Sequence, residues 1–115
     1  MFIDEIEKLR TSIEKNGEKF LTPRLEAVHG TVYQLTREDE SVFLCIMPFK
    51  LMESFPYRPH CVIGLSAEDW TSVLDGKRSI MSKVLAGRCD FLKHERRYIM
   101  HLSMLLQAVL LEEHQ

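Results

Sequence analysis

The stretch from Val62 to Leu106 constrains the fold more than any other part of the chain. Gly76 and Gly87 punctuate it, and the apolar spacing around them predicts a strand, two short helices, a second strand and a long helix. Cys61 to Leu65 is almost wholly apolar, which predicts an interior strand. Ser66 is a good N-cap with Asp69 three residues on, and Trp70, Val73 and Leu74 make the inward face of a short helix closed by Asp75-Gly76. Ser79 can cap a second helix, Ile80 to Ala86, with Ile80, Met81, Val84 and Leu85 inward before Gly87 ends it. The predicted strand Arg88 to Lys93 then carries Cys89, Phe91 and Leu92.

The last helix, about Glu95 to Glu112, carries two apolar arcs when its residues are placed at roughly 100° intervals. Tyr98, Ile99, Leu102, Leu105, Leu106, Val109 and Leu110 form the broad one; Met100, Met104, Ala108 and Leu111 form the second. A helix lying on a sheet needs only one such face. The second therefore needs another apolar neighbour: the rest of the core, a dimer partner or a bound apolar molecule. Methionines suit a surface that adapts to varied shapes, and they fill core gaps equally well.

Upstream, Phe2, Ile6, Leu9 and Ile13 predict an amphipathic helix from Phe2 to Asn16, with Gly17 placed for a left-handed cap. Glu18 to Ala27 carries no assignable pattern, and Thr22-Pro23 argues against one helix through it. Val28 to Thr36 and Ser41 to Met47 predict a β-hairpin whose tip is the acidic cluster Glu38-Asp39-Glu40. The run Val42 to Met47 is apolar throughout, which predicts a strand covered on both faces. Pro48 to His60 holds three prolines among Leu51, Met52, Phe55 and Tyr57. Either it folds over a core edge, or it is a mobile lip over a ligand pocket.

With 115 residues, 45% of them hydrophobic, the chain suits a single domain spanning residues 1–115 with one core. A net charge of -2 disfavours a constitutive nucleic-acid binder. Locally, Lys77, Arg78, Lys83, Arg88, Lys93, Arg96 and Arg97 stand against only Asp90 and Glu95. That run is either simply solvated, or drawn to anionic lipid headgroups with Lys77, Arg78, Arg96 and Arg97 as its membrane contacts, or, as a third reading, in contact with nucleic acid. The three cysteines sit in apolar runs without Cys-x-x-Cys spacing, as expected of free buried thiols in a reducing compartment. No signal sequence opens the chain and no apolar run reaches the ~20 residues of a bilayer span, so a soluble intracellular protein is expected.

Catalysis finds no motif. Gly76-Lys77-Arg78-Ser79 lacks the leading glycine of a phosphate loop, and His94 with His101 has no third ligand for zinc. No catalytic residue, metal or cofactor is expected, and the chain is not expected to be an enzyme.

The order helix, hairpin, apolar loop, strand, two short helices, strand, long helix describes an α+β domain. With Val62-Ile63-Gly64-Leu65-Ser66-Ala67-Glu68-Asp69-Trp70, then Gly76-Lys77 and Gly87-Arg88, it resembles the sterol carrier protein type 2 family of lipid-binding domains. The resemblance covers Val62 to Leu106 well and the upstream elements loosely. Ile80 stands where that family often has proline, and Lys93-His94 where it usually has Gly-Asp. It implies a mixed, mostly antiparallel sheet of about five strands covered by helices, and an apolar ligand such as a fatty acid, sterol or phospholipid held between sheet and helices. Residues expected to line that pocket are Trp70, Val73, Leu74, Met81, Val84, Leu85, Met100, Met104 and Leu105, with Phe55 and Tyr57 as lip. Glu113-His114-Gln115 does not resemble the peroxisomal tripeptide of eukaryotic members, so a bacterial, cytoplasmic protein is expected. The competing expectation is an accessory or homodimerising module of the same fold without a physiological lipid.

Overall fold

The computed structural model describes residues 1–16, 30–46 and 48–113. The readings made for Gly17, for 18–28 and for Met47 lie outside the described residues, as does the side chain of Leu111. Helix α1 (Phe2–Asn16) buries Phe2, Ile6, Leu9 and Ile13, the stripe that its spacing marks. Strands β1 (Val32–Arg37) and β2 (Glu40–Cys45) form the hairpin, with Glu38 at φ 56° in its two-residue tip. Strand β3 (Lys50–Met52) and strand β4 (Cys61–Leu65) complete a mixed sheet of order β3-β2-β1-β4. The β1–β2 and β2–β3 pairs are antiparallel and the β1–β4 pair is parallel.

Register places Tyr33, Leu35, Val42, Leu44, Cys61, Ile63 and Leu65 on one face of the sheet. All seven are buried, and onto them pack α1, α2 (Ala67–Leu74) and the long helix α4 (Arg96–Glu113), with α3 (Ile80–Leu85) against α4. From α4 come Ile99, Leu102, Leu105, Leu106 and Val109, the centre of the broad apolar arc. The phenol of Tyr33 donates to the Tyr98 carbonyl at 3.0 Å and so fastens the sheet to α4.

Four expectations need correction. β2 is not fully buried on both faces: Val42 and Leu44 are buried while Phe43 and Cys45, on the opposite face, are half-buried, with the Phe55 ring 6.0 Å from that of Phe43. The segment Pro48 to His60 holds a short edge strand, since Lys50–Met52 falls between its prolines and keeps its N–H donors. β4 is an edge strand, and the strand predicted over Arg88 to Lys93 shrinks to one bridge, Gly64 with Asp90.

Glu95 explains why pairing stops there. It ends a 3-10 turn, Lys93–Glu95, and its buried carboxylate accepts the Val62 N–H at 2.8 Å, filling the edge position that a fifth strand would use. Glu95→Ala would leave that N–H without its partner and is expected to cost about 1–3 kcal/mol in urea unfolding, whereas Glu95→Gln, which keeps an acceptor, is expected to cost less than half as much. A loss below about 0.5 kcal/mol for Glu95→Ala would contradict this reading of the edge.

Candidate functional site

The turns around α2 and α3 form as the sequence dictates. Ser66 Oγ accepts the Asp69 N–H at 3.1 Å and Ser79 Oγ accepts the Ser82 N–H at 3.0 Å, each capping its helix. Gly76 and Gly87 sit at φ 75° and 72°, where a side chain would be strained.

Asp69 does more than cap. Its carboxylate, 4% exposed, accepts Arg88 Nε at 3.0 Å and meets Lys83 Nζ at 3.1 Å. One carboxylate thus ties the start of α2 to α3 and to the chain leaving it. The Arg88 hydrogen bond leads, with those of Lys83 and Ser66 adding to it, and together they outweigh burial to hold the carboxyl down at about 2. No sequence signal joins these three residues, because only packing brings them together. Two cations of the basic run are therefore internally neutralised, while Lys77, Arg78, Arg96 and Arg97 stay exposed.

The residues expected to line a pocket fall into three groups. Trp70, Val73 and Leu105 belong to the core: the Trp70 ring lies 5.3 Å from that of Phe2, and its indole N–H donates to the Thr36 carbonyl at 2.8 Å. Met81, Val84 and Leu85 lie on α3, and Met100 and Met104 on α4. Met81 and Val84 are half-buried against the core and Met104 is half-buried, whereas Met100 is 40% exposed and Leu85 75% exposed, so Leu85 does not point inward as its spacing suggested. The Met81 N–H donates to the buried Ser103 Oγ at 3.2 Å and seats α3 on α4. Ser103 looks in sequence like a polar divider between two arcs, and its role emerges only from this contact.

Leu74 stands apart in a groove of about 350 Å³ shared with Leu9 of α1 and Leu110 of α4. Phe55 and Tyr57 do not join the helix residues. Phe55 stacks 6.0 Å from Phe43, whose register puts it on the sheet face away from the helices, and Tyr57 packs on Phe55 at 5.8 Å. No lip over the helix-side residues is formed by them.

Burial pushes the Cys61 thiol up to about 12, with the Glu95 carboxylate adding to it, and Cys89 up to about 11; Cys45, half-buried, is raised as well. All three are free thiols. Among the described residues no group of three His, Cys, Asp or Glu side chains is placed to hold a metal ion, and no helix is long and apolar enough to cross a membrane.

No family model and no curated protein matches the chain. Solved structures do. The UbiJ-SCP2 ubiquinone synthesis protein superposes with a TM-score of 0.63 at 11% identity, over 77% of this chain and 75% of that one. Sterol carrier protein domain 2 of Helicoverpa armigera gives 0.63 at 14% identity, over 92% and 88%. Palmitated SCP2L2 from Aedes aegypti gives 0.57 at 13% identity, over 76% and 88%. Identities this low speak to architecture alone, and the architecture agrees with the resemblance carried by Val62 to Leu106: the chain has the sterol carrier protein fold.

Proposed function

We propose that the chain binds, and transfers, an apolar lipid-like molecule such as a fatty acid, a sterol or a phospholipid, by capture and release without bond chemistry. The observation that carries this reading is that Met81, Val84, Leu85, Met100 and Met104 are all left partly or largely exposed on two contacting helices of a sterol-carrier-like fold, and we read them as one apolar strip. α3 is the natural moving wall: it has six residues and is held by Ser103 on one side and by Asp69 on the other. Burial of the ligand supplies the affinity, at about 25 cal/mol per Å² of apolar area before ordering costs, and few polar groups are needed. A neighbour of the same fold is a palmitated protein, which supports the ligand class.

Titration with palmitate, followed on the methionine methyl signals, tests the reading. Met81, Met100 and Met104 are expected to shift while Met52 stays, and Met104→Glu is expected to weaken binding about tenfold or more by placing a charge on the strip. Exposure of Leu85 and Met100 also suits a contact between copies or with another protein. If no methyl moves and Met104→Glu instead converts a dimer into a monomer in sedimentation, the strip is an interface and the lipid reading falls.

A further inference from the structure

We propose a second site, on the outer side of the helices, that takes a single-chain amphiphile with an anionic head, namely a long-chain fatty acid carboxylate. From the function proposed above it borrows only the class of ligand; its location rests on separate residues. The groove lined by Leu9, Leu74 and Leu110 adjoins a second depression of about 290 Å³, with Asp75 and Leu110 lining both. The proposed site spans the two as a trough from α1, past the end of α2 and the C-terminal half of α4, to the turn at Gly76–Ser79.

Its two ends differ. The α1 end has an aliphatic floor, with one leucine from each of three helices, so an acyl chain laid there would remove apolar surface of both partners from water. The other end is formed by Lys77 and Arg78 with Gln107 as a neutral donor. The turn that presents the two cations is folded back on α2: the N–H groups of Gly76, Lys77 and Arg78 donate to the carbonyls of Val73, Ser72 and Ser72 at 3.0, 3.0 and 3.3 Å. Both side chains are exposed and, among the described residues, have no ion-pair partner.

Charge along the trough selects the sign of the head. Among the described lining residues, Lys8, Lys77 and Arg78 stand against Asp75 and Glu5, and Glu5 shares Arg37 with Glu40. A carboxylate at the Lys77–Arg78 end with its chain toward Leu9 satisfies both ends at once; a sterol, with a neutral hydroxyl, leaves the cations unmatched.

The test uses stearate carrying a nitroxide near its methyl end, with palmitate and methyl palmitate as diamagnetic ligands. The nitroxide is expected to broaden the amide signals of Leu9 and Ser12, and palmitate to shift those of Lys77 and Arg78. Lys77→Glu combined with Arg78→Glu is expected to weaken palmitate about tenfold and to leave methyl palmitate unchanged. Broadening confined to Met81, Met100 and Met104 would overturn the trough while upholding the strip. Equal affinity of the wild-type protein for palmitate and its methyl ester would overturn the reading of the head, and absence of binding anywhere would overturn both sites. The wild-type relaxation pattern decides the location even if the double variant folds poorly.

Discussion

Replacing Trp70 by alanine is expected to lower the unfolding free energy by about 3–5 kcal/mol, a large share of the 5–15 kcal/mol typical of a domain. Its indole is wholly buried beneath α1, 5.3 Å from Phe2, so truncation opens a cavity where α1, α2 and the sheet meet. Truncation also leaves the Thr36 carbonyl without its donor. Trp70→Phe keeps most of the packing and loses the hydrogen bond, and is expected to cost about 1–3 kcal/mol. Thermal unfolding of Trp70→Ala should fall by roughly 10–20 °C. A shift of only a few degrees would mean that the ring lines an open pocket instead of filling the core. Because Trp70 is sealed from solvent, its fluorescence is also expected to respond weakly to a ligand seated on Met81, Met100 and Met104.

Asp69→Asn is expected to cost about 2–3 kcal/mol, because Lys83 and Arg88 lose their shared carboxylate while the helix cap can persist through the amide oxygen. The effect depends on pH in a definite direction. A carboxyl held at about 2 in the folded chain and near 4 in the unfolded chain stabilises fully above pH ~4 and loses that contribution as pH falls toward 2. Wild type and Asp69→Asn should therefore differ at neutral pH and converge at pH ~2. A difference that persists unchanged at pH ~2 would show that the carboxylate's charge is not what Lys83 and Arg88 read. Since Asp69 also restrains α3, the variant should exchange the amides of Met81 to Leu85 faster than wild type.

Local signals were the legible part of this fold. The stripe of α1, the caps at Ser66 and Ser79, the glycines at Gly76 and Gly87, the acidic hairpin tip and the broad arc of α4 each follow from residues close in sequence, and all appear where the pattern puts them. What escaped depends on distant partners. Arg88 to Lys93 reads as a strand by composition, yet Glu95 takes the Val62 N–H and ends the pairing after one bridge. Lys50–Met52 was hidden among prolines that flank it without entering it.

The candidate site was legible to the same extent. Met81 and Val84 lie half-buried on α3 and Met104 half-buried on α4, with Met100 more exposed, and helical spacing accounts for the grouping only within each helix. Trp70 and Val73 read as pocket residues because an apolar helix face looks the same in sequence whether it meets a ligand or a sheet. The aromaticity of Phe55 and Tyr57 suggests a lip, but Phe55 packs on Phe43, which sheet register puts on the face away from the helices, and Tyr57 packs on Phe55. The Asp69, Lys83 and Arg88 cluster and the trough at Leu9, Leu74 and Leu110 arise only from tertiary packing.

The most direct test of lipid binding is mass spectrometry of an organic extract of the protein purified without detergent, alongside native mass spectrometry of the same preparation. The account predicts a fatty acid, sterol or phospholipid in the extract and a matching mass increment on the native protein that disappears after delipidation and returns on adding palmitate. An extract free of lipid, with no increment regained from added palmitate, sterol or phospholipid, would contradict it.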